Sequence, residues 1–491
     1  MTRQSHFLRG LILALAVLLP ASASRAQNTG ASTEVFSTGG VLSTTLVAAE
    51  GKVRIGDFQV DGATYNGDYA GPVLHVHPGD LMRIRLVNHL SQPTNLHFHG
   101  MRSSPLGNGD NAHIIVPPNG SLDYEVRIPV TQPVGLYWYH AHVHHFAEHQ
   151  TMGGLTGTII VEGPVPPPVT ARLFVLKDMV FEDDTGNAEI DDTLHGIVQS
   201  VNGRLITSEA MRPGETQLWR FSNQSADRFL HIALSGHTFH IVGEDGEPQV
   251  RTDPVDELIM PPGARFDVLV DSGDAGRYAL LVKNLMTGTG PARVLDRVIG
   301  CLDVAGEPVT PAAAMTVARL PPDLRTAKID QTRTIIFTQI AAANQADLRF
   351  YINGKIFAAD RIDVRVPLGN IEEWTIRNDT DDLHVFHIHQ IGFQLVEVNG
   401  KPVPFTGYLD NVQVPARGEV KLRMPFLDPL ILGRFMFHCH VLLHEDHGMM
   451  ANIEIYDPAP PTLSARLNRL YLHVLWWWHG VPWSLCGLAD T

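Results

Sequence analysis

Cysteine is nearly absent from this sequence. Three Cys in 491 residues are too few for a disulfide framework or for the compact Cys clusters of structural zinc. Charge is also scarce, at 18% Asp, Glu, Lys and Arg against the usual quarter. Within it the basic share is the smaller, 37 Lys and Arg to 52 Asp and Glu. The formal charge of −15 repels phosphate backbones and argues against a nucleic-acid partner. Low-complexity tracts are missing while 44% of residues are apolar, so disorder is not the theme. Nor is there an unbroken apolar run long enough to cross a bilayer. Leu11 to Leu19 is too short, and the stretch from Leu470 to Leu488 is interrupted by two His, Gly480 and Pro482.

What is present is histidine, 25 of them, in a chain too long for one core. The first 26 residues read as an export signal: Arg3 and Arg9, the short apolar run, then Ala21-Ser22-Ala23 and Ser24-Arg25-Ala26 as cleavage candidates. No twin-arginine pair precedes the run, so a general secretory route to the periplasm or the exterior is expected. Beyond it, strand-like runs with Gly and Pro punctuation dominate, such as Leu81 to Val87 and Phe266 to Val270. Linkers at Gly163 to Pro168 and in the Ala- and Pro-rich stretch from Gly306 to Asp323 divide the chain into units 34–163, 170–305 and 330–457, with a tail 458–491. The units repeat. Gly79, Gly214 and Gly369 each stand nine residues before Asn88, Asn223 and Asn378, and a His-bearing strand follows each Asn. An all-β chain of three antiparallel Greek-key sandwiches is predicted.

Four His-x-His pairs carry the chemistry: His97/His99, His140/His142, His387/His389 and His438/His440. Residues i and i+2 of a strand share a face, so each pair offers two imidazoles to one site. Two pairs lie in the first unit and two in the third. The middle unit has His231 but Ala233 in the corresponding place, and so acts as a spacer. The eight rings converge only if the outer units meet face to face. Cys439, inside the last pair, points the other way. With His444, Met449 and His384 it makes a His2Cys set with a weak axial Met, the donor set of a blue-copper electron-transfer centre. His75/His77 reads as an exposed strand decoration, His237 and His240 as structural. His144, His145 and His149 read as neighbours of the site or surface residues.

From about residue 40 to 457 the sequence resembles the three-domain multicopper oxidases. The motifs are His97-Phe98-His99-Gly100, Tyr137 through His142, His384 through His389, and His438-Cys439-His440 through Met449. The resemblance implies cupredoxin-like domains and four copper ions. Type 1 copper would take His384, Cys439, His444 and Met449. Type 2 would take His97 and His387. The type 3 pair would share His99, His140, His142, His389, His438 and His440.

Dioxygen reduction consumes protons, and the resemblance gives Glu445 and Asp110 as carriers, with a solvated surface position as the alternative for each. The reductant stays open between phenols or aromatic amines, as in a laccase-like enzyme, and a metal ion such as Cu(I), Mn(II) or Fe(II). A non-enzymatic envelope protein is the third reading, disfavoured by the complete ligand set. Related Cu(I) oxidases carry a Met-rich insertion over the type 1 site, for which Gly369 to His384 leaves no room. Asp381 and Asp382, just before His384, are placed to hold a metal ion or to hydrogen-bond a phenol. Cys301 and Cys486 are candidates to pair in an oxidising compartment. The Trp-rich tail is read as an interfacial or partner-binding segment or an aberrant gene end.

Overall fold

A computed structural model describes residues 32–56, 58–164, 167–180, 197–250, 253–283, 296–310, 320–340 and 348–458. The export pattern, the Trp-rich tail and Cys486, with its suggested pairing, lie outside the described residues.

Alternation makes the strands. In Leu81–Asn88, Met82, Ile84 and Leu86 are buried, while Arg83 and Arg85 reach Glu125 and Asp123 on the next strand. A strand of period two has one apolar face and must cover it. Six sheets therefore close in pairs, four strands on five, then six on five twice. Each pair shares one core: Leu42, Ile84, Phe98 and Ile159 in the first, Trp219, Phe221, Ile232 and Leu280 in the second, Trp374, Phe386, Leu422 and Phe437 in the third.

The sequence pattern predicts antiparallel sandwiches, but each sandwich also contains parallel pairs. Val41–Ile55 runs parallel to Leu81–Asn88, Thr170–Val180 to Thr216–Asn223, and Gln331–Ile340 to Ile371–Asn378. A parallel pair needs a crossover connection. Here the chain first makes an antiparallel partner and then a strand in the facing sheet, Val73–Val76, Thr207–Met211 or Val364–Pro367, before it returns.

The Gly and Asn repeat has a physical cause at both ends of the returning strand. Gly79, Gly214 and Gly369 open it at φ of 96°, 83° and 103°, a region side chains disfavour. Asn88, Asn223 and Asn378 close it, buried, and each side-chain oxygen accepts from the backbone two residues on. Each side-chain amide donates to a carbonyl of the loop before the next strand, Asn88 to Gln92, Asn223 to Arg228 and Asn378 to Asp382. The Asn thus ties the segment that delivers the following strand.

That strand is His97–His99 in the first sandwich and His384–Ile388 in the third. Neighbouring strands set His97 opposite His140 and His387 opposite His438. Two short helices, Ala147–Gly153 and Leu442–Asp446, follow the second and fourth pairs. Among the described residues no helix is long and apolar enough to cross a membrane.

Candidate metal centre

Three of the four pairs straddle a strand end. The strands stop at His140, Ile388 and Cys439, and His142, His389 and His440 stand just beyond. The structure brings all eight rings together, each at most 1% exposed. Rings of the first sandwich stack on rings of the third: His97 on His389 at 3.7 Å and His99 on His387 at 3.9 Å between centroids. Their nitrogens gather in groups that mix the two sandwiches, His99 with His140 and His440, and His142 with His389 and His438. His97 and His387 form a further group that also includes His99.

These nitrogens fit a metal. The Nδ1 atoms of His97, His140 and His387 are anchored on Asp110 Oδ1, the Ala141 carbonyl and the Asp410 carbonyl, at 3.0, 2.9 and 2.7 Å. Their Nε2 atoms are buried without a partner, at a cost of about 1–3 kcal/mol each if left so. Elsewhere nitrogens crowd each other: His142 Nε2 and His389 Nε2 lie 3.2 and 3.1 Å from His438 Nε2, and His440 Nε2 lies 3.1 Å from His99 Nδ1. Burial, reinforced by neighbouring rings, holds His97, His99, His387, His389 and His440 well below the ordinary histidine range, and burial holds His438 near 4. Neutral imidazole is the form that ligates.

Cys439 does point to the opposite face from its flanking histidines. Its Sγ lies 3.5 Å from His384 Nδ1 and 3.6 Å from His444 Nδ1, and those nitrogens are 3.0 Å apart. Met449 is buried in the same core, with its carbonyl accepting from Cys439 N and its own N–H donating to the His444 carbonyl. Burial first, helped by the charges of Glu445 and Asp227, pushes the Cys439 thiol up to about 12, so a bound cation is what would keep a thiolate here. His384 is fully covered, its Nε2 held by Thr380 Oγ1 at 2.8 Å. His444 keeps 9% of its surface and stacks on Phe350.

Neither candidate proton carrier is at the surface. Asp110 is buried, accepts from Phe98 N–H and Gln390 Nε2, and is raised to about 8 by desolvation. Glu445 is buried on the outer side of the other group, 3.0 Å from His438 Nδ1 and 3.5 Å from His142 Nδ1, and burial raises it to about 7. Both touch histidines of the cluster and both hold a proton near neutrality.

Asp381 and Asp382 are already engaged, the first in a forked pair with Arg417 and the second with Gln339 Nε2 at 2.8 Å. His75 is not a surface decoration: it is 9% exposed, hydrogen-bonded to Glu162 and stacked on Phe36. His77 is half-exposed, as expected. His145 binds the Asp446 carbonyl, His144 packs tilted against His145, His149 and His240 are exposed, and His237 ties two backbone carbonyls. Sequence reasoning missed Thr380, Gln390 and Asp410. The first two lie within four residues of a motif and were findable by proximity; Asp410 carried no local signal.

Three family models, each described as multicopper oxidase, match residues 48–165, 178–299 and 325–459. A multicopper oxidase of Staphylococcus aureus is 27% identical over 439 residues, covering 85% of this chain and 89% of that one. Among solved structures, a multicopper oxidase from Campylobacter jejuni described as a metallo-oxidase is 25% identical, with a TM-score of 0.75 over 87% of this chain and 94% of its own. A bacterial laccase-like multicopper oxidase from Ochrobactrum sp., with activity towards lignin model compounds, is also 25% identical, with a TM-score of 0.72 over 87% and 99%. A cell division protein, FtsP of Escherichia coli, is 26% identical over 80% of this chain and 85% of its own. Family models in tandem over all three sandwiches, with a histidine cluster built where the outer two meet, have one reading: the chain belongs to the multicopper oxidases, oxidoreductases that use oxygen.

Proposed function

We propose that this chain is a laccase-like oxidase that couples one-electron oxidation of phenols or aromatic amines to four-electron reduction of dioxygen to water. The observation that carries it is the set of buried donor groups, one His2Cys and the rest histidine only, drawn from both outer units. His384, Cys439, His444 and Met449 hold type 1 copper. His97 and His387 hold type 2, and the two mixed histidine triads hold the type 3 pair. The units 34–163 and 330–457 supply every ligand, and 170–305 supplies none. Copper supplies the one-electron steps and the site of oxygen reduction. The polypeptide does the rest. Cys439 lies between His438 and His440 and links the two centres through bonds. His444, the only ring of the His2Cys set with exposed surface, faces the reductant. Glu445 and Asp110 hold protons beside the histidine cluster. The N-terminal pattern supports export to the periplasm or beyond.

A metal-ion reductant is the second reading, favoured by the net charge of −15 and by the Campylobacter jejuni neighbour. Against it, Asp381 is already occupied by Arg417, and the stretch from Gly369 to His384 is filled by the strand Ile371–Asn378 and a tight turn. FtsP is similar in sequence, but the complete donor set here favours an enzyme. The test is a steady-state comparison of a methoxyphenol with Cu(I), Mn(II) and Fe(II) on copper-loaded protein. A higher kcat/KM for the phenol is expected; a metal ion that clearly exceeds it replaces this reading with the second.

A further inference from the structure

The middle sandwich donates no ligand, yet one of its side chains reaches the histidine cluster. Arg265 opens the strand Arg265–Asp271 and is wholly buried. Its guanidinium grips Asp410 of the third sandwich with two parallel bonds, Nη1 to Oδ1 at 2.8 Å and Nη2 to Oδ2 at 2.6 Å. It also donates to the Leu136 carbonyl of the first sandwich and to its own Gly263 carbonyl. Asp245 backs the pair, 3.4 Å from Nη1, and its other oxygen accepts from Asn411 N. One arginine thus ties three sandwiches at one point.

Asp410 spends its remaining acceptors on the cluster. Oδ1 lies 3.1 Å from His99 Nε2, and the Asp410 carbonyl accepts from His387 Nδ1 at 2.7 Å. A nitrogen that donates cannot ligate, so these bonds fix which nitrogen each ring presents: Nδ1 for His99 and Nε2 for His387. The local glycines fit this purpose. A Cβ on Gly100, at φ +79°, would strike both Arg265 and Asp410, and one on Gly263, at φ +86°, would press on the His440 ring at 3.1 Å. The site is shaped to let the middle sandwich come this close.

We infer that Arg265 is a positioning residue for the trinuclear copper ligands, acting through Asp410 on the ring orientation of His99 and His387, so that the middle sandwich helps to set copper affinity at a site to which it gives no ligand. This rests on the ligand assignment under Proposed function. The experiment loads wild type, Arg265→Gln and Arg265→Lys with copper, full length, and reads copper per chain, blue absorbance and the type 2 electron paramagnetic resonance signal. Arg265→Gln is expected to keep the blue absorbance and to bind the remaining copper about 10–100-fold more weakly, with an altered or missing type 2 signal. Arg265→Lys restores the charge without the forked geometry and is expected to fall between. Wild-type copper content and an unchanged type 2 signal in Arg265→Gln overturn the inference, as does a parallel loss of blue and non-blue copper in a folded variant. If Arg265→Gln does not fold, the same readouts on Arg265→Lys decide. A wild-type chain without non-blue copper instead sinks the ligand assignment itself, and the inference with it.

Discussion

At the residue scale the site separates two jobs that sit side by side in sequence. Cys439 and Glu445 are six positions apart, yet one faces the His2Cys group and the other backs the histidine cluster. Cys439→Ser removes the thiolate donor, so the blue colour and oxidase activity are expected to vanish while the remaining copper stays, its eight histidines being untouched. Absorbance together with a copper count checks this, and a variant that stays blue reassigns Cys439. Glu445→Gln keeps the shape but cannot release a proton. The oxygen half-reaction is expected to slow by about 10²–10⁴-fold while reduction of the blue centre stays near wild type. Stopped-flow measurement of each half-reaction separates them, and equal rates in both would leave Glu445 without a role in proton delivery.

At the scale of elements, the histidine strands are held from behind by an aromatic core. Trp374 is fully buried, donates Nε1 to Glu372 Oε2 at 2.9 Å, and lies 5.4 Å from Phe437 and 6.4 Å from Phe386 between ring centroids. Those two phenylalanines directly precede His438 and His387 on their strands and face the opposite way. Trp374→Ala opens a cavity there and is expected to cost about 3–5 kcal/mol, with a weaker blue band because Cys439 and Met449 belong to the same core. Urea unfolding followed by circular dichroism measures it, and Trp374→Phe, which keeps a ring, is expected to cost less. A loss within error for the Ala variant would mean that this core does not brace the site. The strands and the pairs were legible because periodicity and His-x-His spacing are local. The parallel pairings were not, since crossover order leaves no mark in any single strand. Burial of Asp110 and His75 was equally hidden: each is covered by residues distant in sequence, Gln390 and Phe36 among them.

At the scale of the whole molecule, the three sandwiches meet a second time, in acid rather than histidine. Asp446 of the third accepts from the N–H groups of His145 and Glu148 at the start of the first sandwich's helix. Asp227 of the second accepts from Leu443 N–H in the short helix that carries His444. Each helix is thus capped by a carboxylate from another sandwich. Burial first, and then mutual repulsion, raises Glu148 to about 8; burial raises Asp227 and Asp446 to about 7. The sign follows from proton counting. An unfolded glutamic acid ionises near pH 4.3, whereas the folded junction keeps its protons to near neutrality. Between those limits the folded state binds more protons, so this contribution to stability is present at low pH and is lost as pH rises towards 8. Glu148→Gln replaces an acid that must ionise with a neutral amide of the same shape. Its melting temperature is expected to match wild type near pH 5 and to exceed it by a few degrees near pH 9. Calorimetry of both proteins across that range provides the check. A difference that does not change with pH would mean that Glu148 titrates like an ordinary surface acid, and that charge at the three-way junction does not govern how firmly the sandwiches hold together.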